Sequence, residues 1–316
     1  MHGHSDDMPV CSLRWRPSNS GMKTANVLVS CQADGWLKHW HATSGKCLHQ
    51  MKCEDNPDND LYTLDYNNDG TLLATAGKDK YVRLYDEQTK SLVLKMKDSG
   101  ELCGHSNRIF CVKFDPFNPD RIASGGWDNT IQIYDIRRKG PVASIYGPHI
   151  CGEAIDFHSD GNTLLTGSYR QDNVLELWDL RNHKKIRNIE WNGPLSEPAD
   201  SGLEGDANES EEEKKENEPA EKVMQVNREN PAPFIYSAVF NHETGVVMAA
   251  GAGANQVRLF DYETGNIVCV ISDLPKAILC MTKANQSNDF AFGSVDSKIR
   301  IMTQRVLKEP FGDSSM

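Results

Sequence analysis

Short apolar-alternating runs recur along this chain at a nearly fixed interval, and that recurrence constrains the fold more than any other feature. The runs are residues 36–40, 82–86, 131–135, 175–179, 257–261 and 299–302. With Trp40, Tyr85, Tyr134, Trp178, Phe260 and Met302 as equivalent positions, the spacings are 45, 49, 44, 82 and 42 residues. Alternation with a period of two marks strands with one buried face. Each unit opens with another strand, at 10–15, 61–66, 109–114, 153–157, 235–240 and 278–283. Turn residues such as Asn68-Asp69-Gly70 and Ser159-Asp160-Gly161 follow, and they tolerate the backbone of tight hairpins. A further apolar strand (72–75) and an outer one (185–189) complete the unit where it is clearest. Antiparallel strands in fours, repeated every 40–50 residues or so, describe a propeller blade.

The long interval of 82 residues contains a stretch of different composition. Residues 195–222 hold eleven acids against three lysines, so they carry eight of the chain's eleven net negative charges. Two leucines and no aromatic or β-branched residue leave nothing to offset the entropy of ordering it. A disordered acidic loop spanning about 192–228 is expected, dividing one domain into repeats 1–4 (1–191) and repeats 5–6 (229–316). Ser201 and Ser210 each precede a Glu by three residues and are candidate sites for an acid-directed kinase.

A polar pattern rides on the repeat. Asp34, Asp79, Asp128, Asp172 and Asp296 each lie six positions before the equivalent aromatic or Met. Ser30, Thr75 and Ser124 precede their Asp by four residues, and Thr166 precedes Asp172 by six, implying a two-residue insertion around 169–171. His105 and His149 stand in the loops before the third and fourth units. A turn Asp accepting from an imidazole that also reaches a hydroxyl makes a buried network with every member satisfied.

Together with the Trp178-Asp179 pair and the Gly104-His105 dipeptide, this pattern resembles the WD-repeat β-propeller family over nearly all of the chain except about 192–228. The resemblance implies a structural tetrad of His105, Ser124, Asp128 and Tyr134 in the third unit, with Tyr in place of the usual Trp. It implies His149, Thr166, Asp172 and Trp178 in the fourth and Thr75, Asp79 and Tyr85 in the second. The fifth unit departs, with Ala250 and Ala254 at the hydroxyl and Asp positions. The sixth keeps Asp296 but has Phe292 and Met302. A six-bladed ring closed around residues 305–308 is expected, with an incomplete seven-bladed ring as the alternative.

Composition and motifs narrow the function. The net charge of −11 disfavours a phosphate-backbone binder. No apolar run approaches the length of a membrane-spanning helix, and residues 1–7 have neither the basic start nor the apolar stretch of a secretory signal. Nine cysteines without a Cys-x-x-Cys pair suit a reducing cytoplasmic or nuclear compartment. The histidines, His39 and His41 included, lack a ligand set at zinc-like spacing, so no metal and no cofactor are expected. No nucleophile motif or phosphate-cradling loop occurs, so the reading is of a non-enzymatic interaction scaffold that binds other proteins and no small-molecule substrate. Trp127, next to Asp128, resembles a partner-binding rim position of the family, with Lys78, Arg170 and Gln171 at comparable places. Arg137 and Arg181, each two after the strand-ending Asp, resemble the box of cullin-RING ubiquitin ligase substrate receptors. That role is the alternative.

Overall fold

The computed structural model describes residues 8–17, 26–53, 55–96, 102–196, 233–284, 287 and 289–303. These residues form six antiparallel sheets and no helix. The first sheet comprises Val10–Trp15, Val27–Gln32, Leu37–His41 and Lys46–Met51. The second comprises Leu61–Tyr66, Leu72–Gly77, Val82–Asp86 and Leu92–Met96, and the third Ile109–Phe114, Arg121–Gly126, Thr130–Asp135 and Gly140–Tyr146. The fourth holds Ile155–Phe157, Thr163–Gly167, Leu175–Asp179 and Lys184–Ile189. The fifth holds Phe234–Asn241, Val246–Ala252, Val257–Asp261 and Ile267–Ile271. The last has three described strands, Ile278–Lys283, Asp289–Ser294 and Ile299–Thr303.

Strands within each sheet are neighbours in chain order, and the first strands of successive sheets pack against one another. Those first strands therefore surround the centre and the sheets radiate from it as the blades of a six-bladed β-propeller. The stretch expected to close the ring, 305–308, lies outside the described residues, as do 197–232 with most of the acidic segment, Ser201 and Ser210.

The core follows directly from the alternation. Its apolar residues fall into clusters that each join one blade to the next. Between blades 2 and 3, for example, Val82 and Leu84 of one blade meet Ile109, Val112 and Phe114 of the following inner strand. A blade thus faces backward with its inner strand and aromatic, and forward with the alternate residues of its third strand. Buried polar side chains fasten the same interfaces. Thr63 and Asp65 accept from the backbone N–H of Val112 and Phe114 at 3.2 and 2.9 Å. Asp156 accepts from Phe240 N at 2.9 Å, and Ser237 from Met281 N at 3.2 Å.

Trp191, the last residue of the segment expected to hold repeats 1–4, is buried, and its ring carries the Arg258 guanidinium 4.6 Å from its centre. Arg258 also donates to Asn192, and Ser196 N and Oγ both donate to Ile267 O, so residues 192–196 are seated on the fifth blade.

Candidate functional site

The turn between the second and third strand of every blade has a residue in the left-handed region: Gly35, Lys80, Asn129, Asn173, Asn255 and Ser297. The turn is common to all six blades, including the fifth, where Ala254 replaces the Asp. At Gly35 a side chain is excluded outright, since an added Cβ would lie 2.6 Å from Asn59 O. What differs is how each turn is wired to its blade.

In the third blade the full network is present. His105 Nδ1 lies 2.7 Å from Asp128 Oδ2 and Nε2 lies 2.7 Å from Ser124 Oγ. A carboxylate only accepts, so Nδ1 carries a proton toward Asp128, while Nε2 shares a hydrogen bond with the serine hydroxyl. Asp128 also accepts from Ser106 N at 2.9 Å and from Thr130 Oγ1 at 2.9 Å. Burial alone would raise the Asp128 pKa, but the His105 hydrogen bond and these further donors outweigh it and hold it below the ordinary carboxylate value. Tyr134 is buried, in the core shared with blade 2.

The fourth blade departs from the assignment made on its sequence. Trp178 Nε1 does donate to Thr166 Oγ1 at 3.0 Å. Asp172, however, is exposed, and His149 Nδ1 meets Asn129 Oδ1 at 2.6 Å instead. The two-residue insertion explains this: it carries Asp172 outward and brings Arg170 in, where the guanidinium pairs with buried Glu176 and donates to the carbonyls of Gly147 and Asn173.

The second blade has the Asp but no imidazole. Arg83, fully buried, bridges Asp79 and Asp55. Thr75 Oγ1 has no hydrogen-bond partner among the described residues and Tyr85 Oη lies by the Cys53 thiol, so the expected Thr75–Asp79–Tyr85 relay is replaced by an arginine clamp. Arg300 repeats the clamp on Asp296 at 2.6 Å in the sixth blade. In the fifth, Arg258 has no carboxylate partner among the described residues and donates to Gln256 Oε1, and burial pushes its pKa down to about 10. In the first, Trp40 Nε1 donates to Ser30 Oγ at 2.9 Å.

Around the third blade's turn the surface becomes aromatic. Tyr62 stacks on Phe110 with ring centres 4.8 Å apart, Phe110 on Trp127 at 4.8 Å, and Trp127 on His149 at 6.4 Å. Arg108 lies 5.6 Å from the Trp127 ring, and the Trp127 indole N–H donates to Cys151 Sγ. Held this firmly, Trp127 is still 39% exposed. Tyr169, with Phe234 and Tyr236, adds a second stack beside it. Burial depresses the His149 pKa, so its ring is neutral at physiological pH.

The other rim candidates divide. Gln171 is exposed, and Lys78 is half-exposed beside Asp60 at 3.1 Å. Arg170 is committed to Glu176 and to backbone carbonyls, so the insertion that displaced Asp172 also gave Arg170 a structural place. Sequence reasoning missed Tyr62, Phe110 and Tyr236; the available signal was an aromatic at the second position of three inner strands. Arg137 and Arg181 lie on turns at the opposite end of the third strand from Trp127 and are largely exposed. Arg137 donates to Asp135 and Arg181 to Asp179, each within its own blade. Among the described residues no three His, Cys, Asp or Glu side chains are grouped to hold a metal ion. His39, one of the tempting histidines, is buried 2.8 Å from Glu87 Oε1 and joins blade 1 to blade 2.

A family profile described as "WD domain, G-beta repeat" matches residues 45–86, 96–135 and 141–179. WD repeat-containing protein 89 homolog of Dictyostelium discoideum is 27% identical over 170 residues, which is 52% of this chain and 44% of that protein. WD repeat-containing protein RUP1 of Arabidopsis thaliana is 27% identical over 179 residues, 56% of this chain and 43% of its own. Nuclear distribution protein PAC1-2 of Uncinocarpus reesii is 26% identical over 200 residues, 57% and 40% of the two chains. The chain thus spans less than half the length of these relatives. Among solved structures, a chain of the mitotic checkpoint complex superposes with a TM-score of 0.68 over 94% of this chain and 75% of that one. At 14% identity that likeness is one of fold.

Proposed function

We propose that this chain, whose second to fourth blades match the WD-repeat profile and whose sheets form a six-bladed propeller, is a non-enzymatic scaffold which recognises partner proteins on the face carrying Trp127. The observation that supports the reading is the stacked arc Tyr62–Phe110–Trp127–His149, with an exposed indole edge at its centre. A large aromatic held rigid before binding loses little conformational entropy on contact, and Trp is among the side chains that most often anchor an interface. Arg108 lies over the Trp127 ring and Lys78 is matched by Asp60, so the complementary partner is a peptide that presents apolar side chains to the arc. All nine cysteines are free, four of them exposed, which suits the cytoplasm or nucleus.

A substrate-receptor role in a cullin-RING ligase has no such support. The arginines that suggest it are each held by the Asp two residues before them, a local cause that needs no adaptor.

Affinity purification of the full chain beside Trp127→Ala tests the reading. The principal partner should weaken by on the order of 2 kcal/mol or more. Loss of the stacking should cost the fold only about 1 kcal/mol. An unchanged set of partners with Trp127→Ala, or loss of partners only with Arg137→Ala and Arg181→Ala, would move the interface elsewhere.

A further inference from the structure

Tyr62, Phe110 and Tyr236 occupy equivalent places near the start of the inner strands of blades 2, 3 and 5. Blade 4 has Glu153 there. The clasps between blades fix the register, since Tyr62 lies three residues before Asp65 and Glu153 three before Asp156. A carboxylate thus interrupts the aromatic series between the stack that holds Trp127 and the stack of Tyr169, Phe234 and Tyr236.

The backbone differs at the same point. The inner strand of blade 4 is three residues long, against six in blades 1, 2, 3 and 6 and eight in blade 5. Strand pairing that runs past Tyr62 and Phe110 therefore stops short of residues 149–153. That segment carries three contacts of the recognition face. His149 stacks on Trp127, and Cys151 Sγ accepts from the Trp127 indole N–H at 3.0 Å. Gly152 lies so close to Tyr236 that an added Cβ would sit 2.4 Å from its carbonyl oxygen. Backbone hydrogen bonds tie the segment from Ile150 N to Gly126 O at 3.1 Å and from Ala238 N to Glu153 O at 3.2 Å.

The Glu153 side chain is held from across the ring. Ser12 Oγ donates to Oε1 at 2.6 Å, and Arg14 Nη2 lies 3.0 Å from Oε2. Arg14 Nε also donates to Asp65 Oδ1 at 3.1 Å and Nη1 to Leu13 O at 2.9 Å, so the guanidinium is itself fixed in orientation. Charge-assisted bonds of this kind are short and directional. Blades 1 and 4 face each other in a circle of six, and these bonds span its centre.

We propose that Arg14 and Ser12 are positioning residues of the recognition face: through Glu153 they set where the segment 149–153 holds His149 and Cys151 against Trp127. The inference rests on the reading of that face as the partner-binding one, and adds to it a determinant on the opposite side of the ring.

Fluorine NMR of the full chain labelled with 5-fluorotryptophan tests it, the Trp127 signal being the one that disappears in Trp127→Phe. Arg14→Gln and, separately, Ser12→Ala should shift or split the Trp127 signal. The signals of Trp178 and Trp191 should stay in place and the melting temperature within a few degrees. Retention of the Trp127-dependent partner in affinity purification should fall at least fivefold in Arg14→Gln. In the Trp127→Ala background the same change should cause no further loss. Arg138→Ala, exposed on the turn at 135–140, should alter neither readout. An unmoved Trp127 signal in Arg14→Gln, or full retention of that partner, would overturn the proposal. So would shifts of every tryptophan signal with a melting temperature ten degrees or more lower, because Arg14 would then hold the fold as a whole. A Trp127 signal that moves in Arg14→Gln while Trp127→Ala keeps every partner would leave the link from Arg14 to Trp127 standing and place recognition elsewhere.

Discussion

Blades 2 and 3 carry the same letters at the turn, a hydroxyl residue and an Asp four apart, and wire them differently. In blade 3 the His105 imidazole sits between Asp128 and Ser124 and shares its two nitrogens between them. In blade 2 a buried guanidinium spans Asp79 and Asp55, and Thr75 is bypassed. The two solutions are not equivalent. The imidazole divides its two nitrogens between a carboxylate and a hydroxyl, whereas the buried Arg83 guanidinium is matched by two carboxylates, which offset the cost of taking its charge out of water. What recurs in all six blades is the left-handed turn; where a turn Asp is wired into its blade, as in blades 2, 3 and 6, the donor comes from the preceding loop or the third strand.

The comparison breaks first at Arg83. Arg83→Ala leaves two carboxylates facing a buried vacancy, and unfolding in denaturant should show a loss of about 3 kcal/mol, the lower end for a broken buried pair, because both carboxylates keep some contact with water. His105→Ala and Asp128→Ala should each cost about 1–3 kcal/mol by stranding a buried partner. The double variant should cost little more than either single one. Strict additivity would mean the two side chains do not share a network. A pH series sharpens the contrast. The folded-state pKa of Asp128 lies below its unfolded value, so its contribution is intact above roughly pH 4 and is lost as pH falls through the folded value. The wild-type stability curve should therefore drop more steeply in acid than that of Asp128→Ala. The smallest effect belongs to Asp172→Ala, within about 0.5 kcal/mol, because that residue is exposed. A loss as large as that of Asp128→Ala would restore it to a network.

The blades were readable from sequence because each strand carries its own period, and Trp40 through Met302 keep that period in all six units. The wiring was less readable. The insertion at 169–171 was visible, but that it would seat Arg170 on Glu176 and expel Asp172 depends on where a loop of two extra residues can go. The clasps from Thr63, Asp65, Asp156 and Ser237 leave no pattern, since the same positions hold Cys111 and Ala154 in other blades. Nor does the sequence mark the bulge in pairing with the outer strand at Trp40, Tyr85, Tyr134, Trp178 and Phe260, which is a backbone event that any side chain accommodates. Of the rim, Trp127 was legible from its place beside Asp128. The stack beneath it was not, because Tyr62 and Phe110 come from inner strands of two different blades.

Hydrogen–deuterium exchange of the full chain, alone and with the partner recovered by affinity purification, tests most directly where recognition occurs. The account predicts protection of the turn at 126–130, of the start of the inner strands at 61–63 and 109–111, and of 149–151. Protection confined to the turns at 135–140 and 179–184, with the Trp127 turn unchanged, would contradict it.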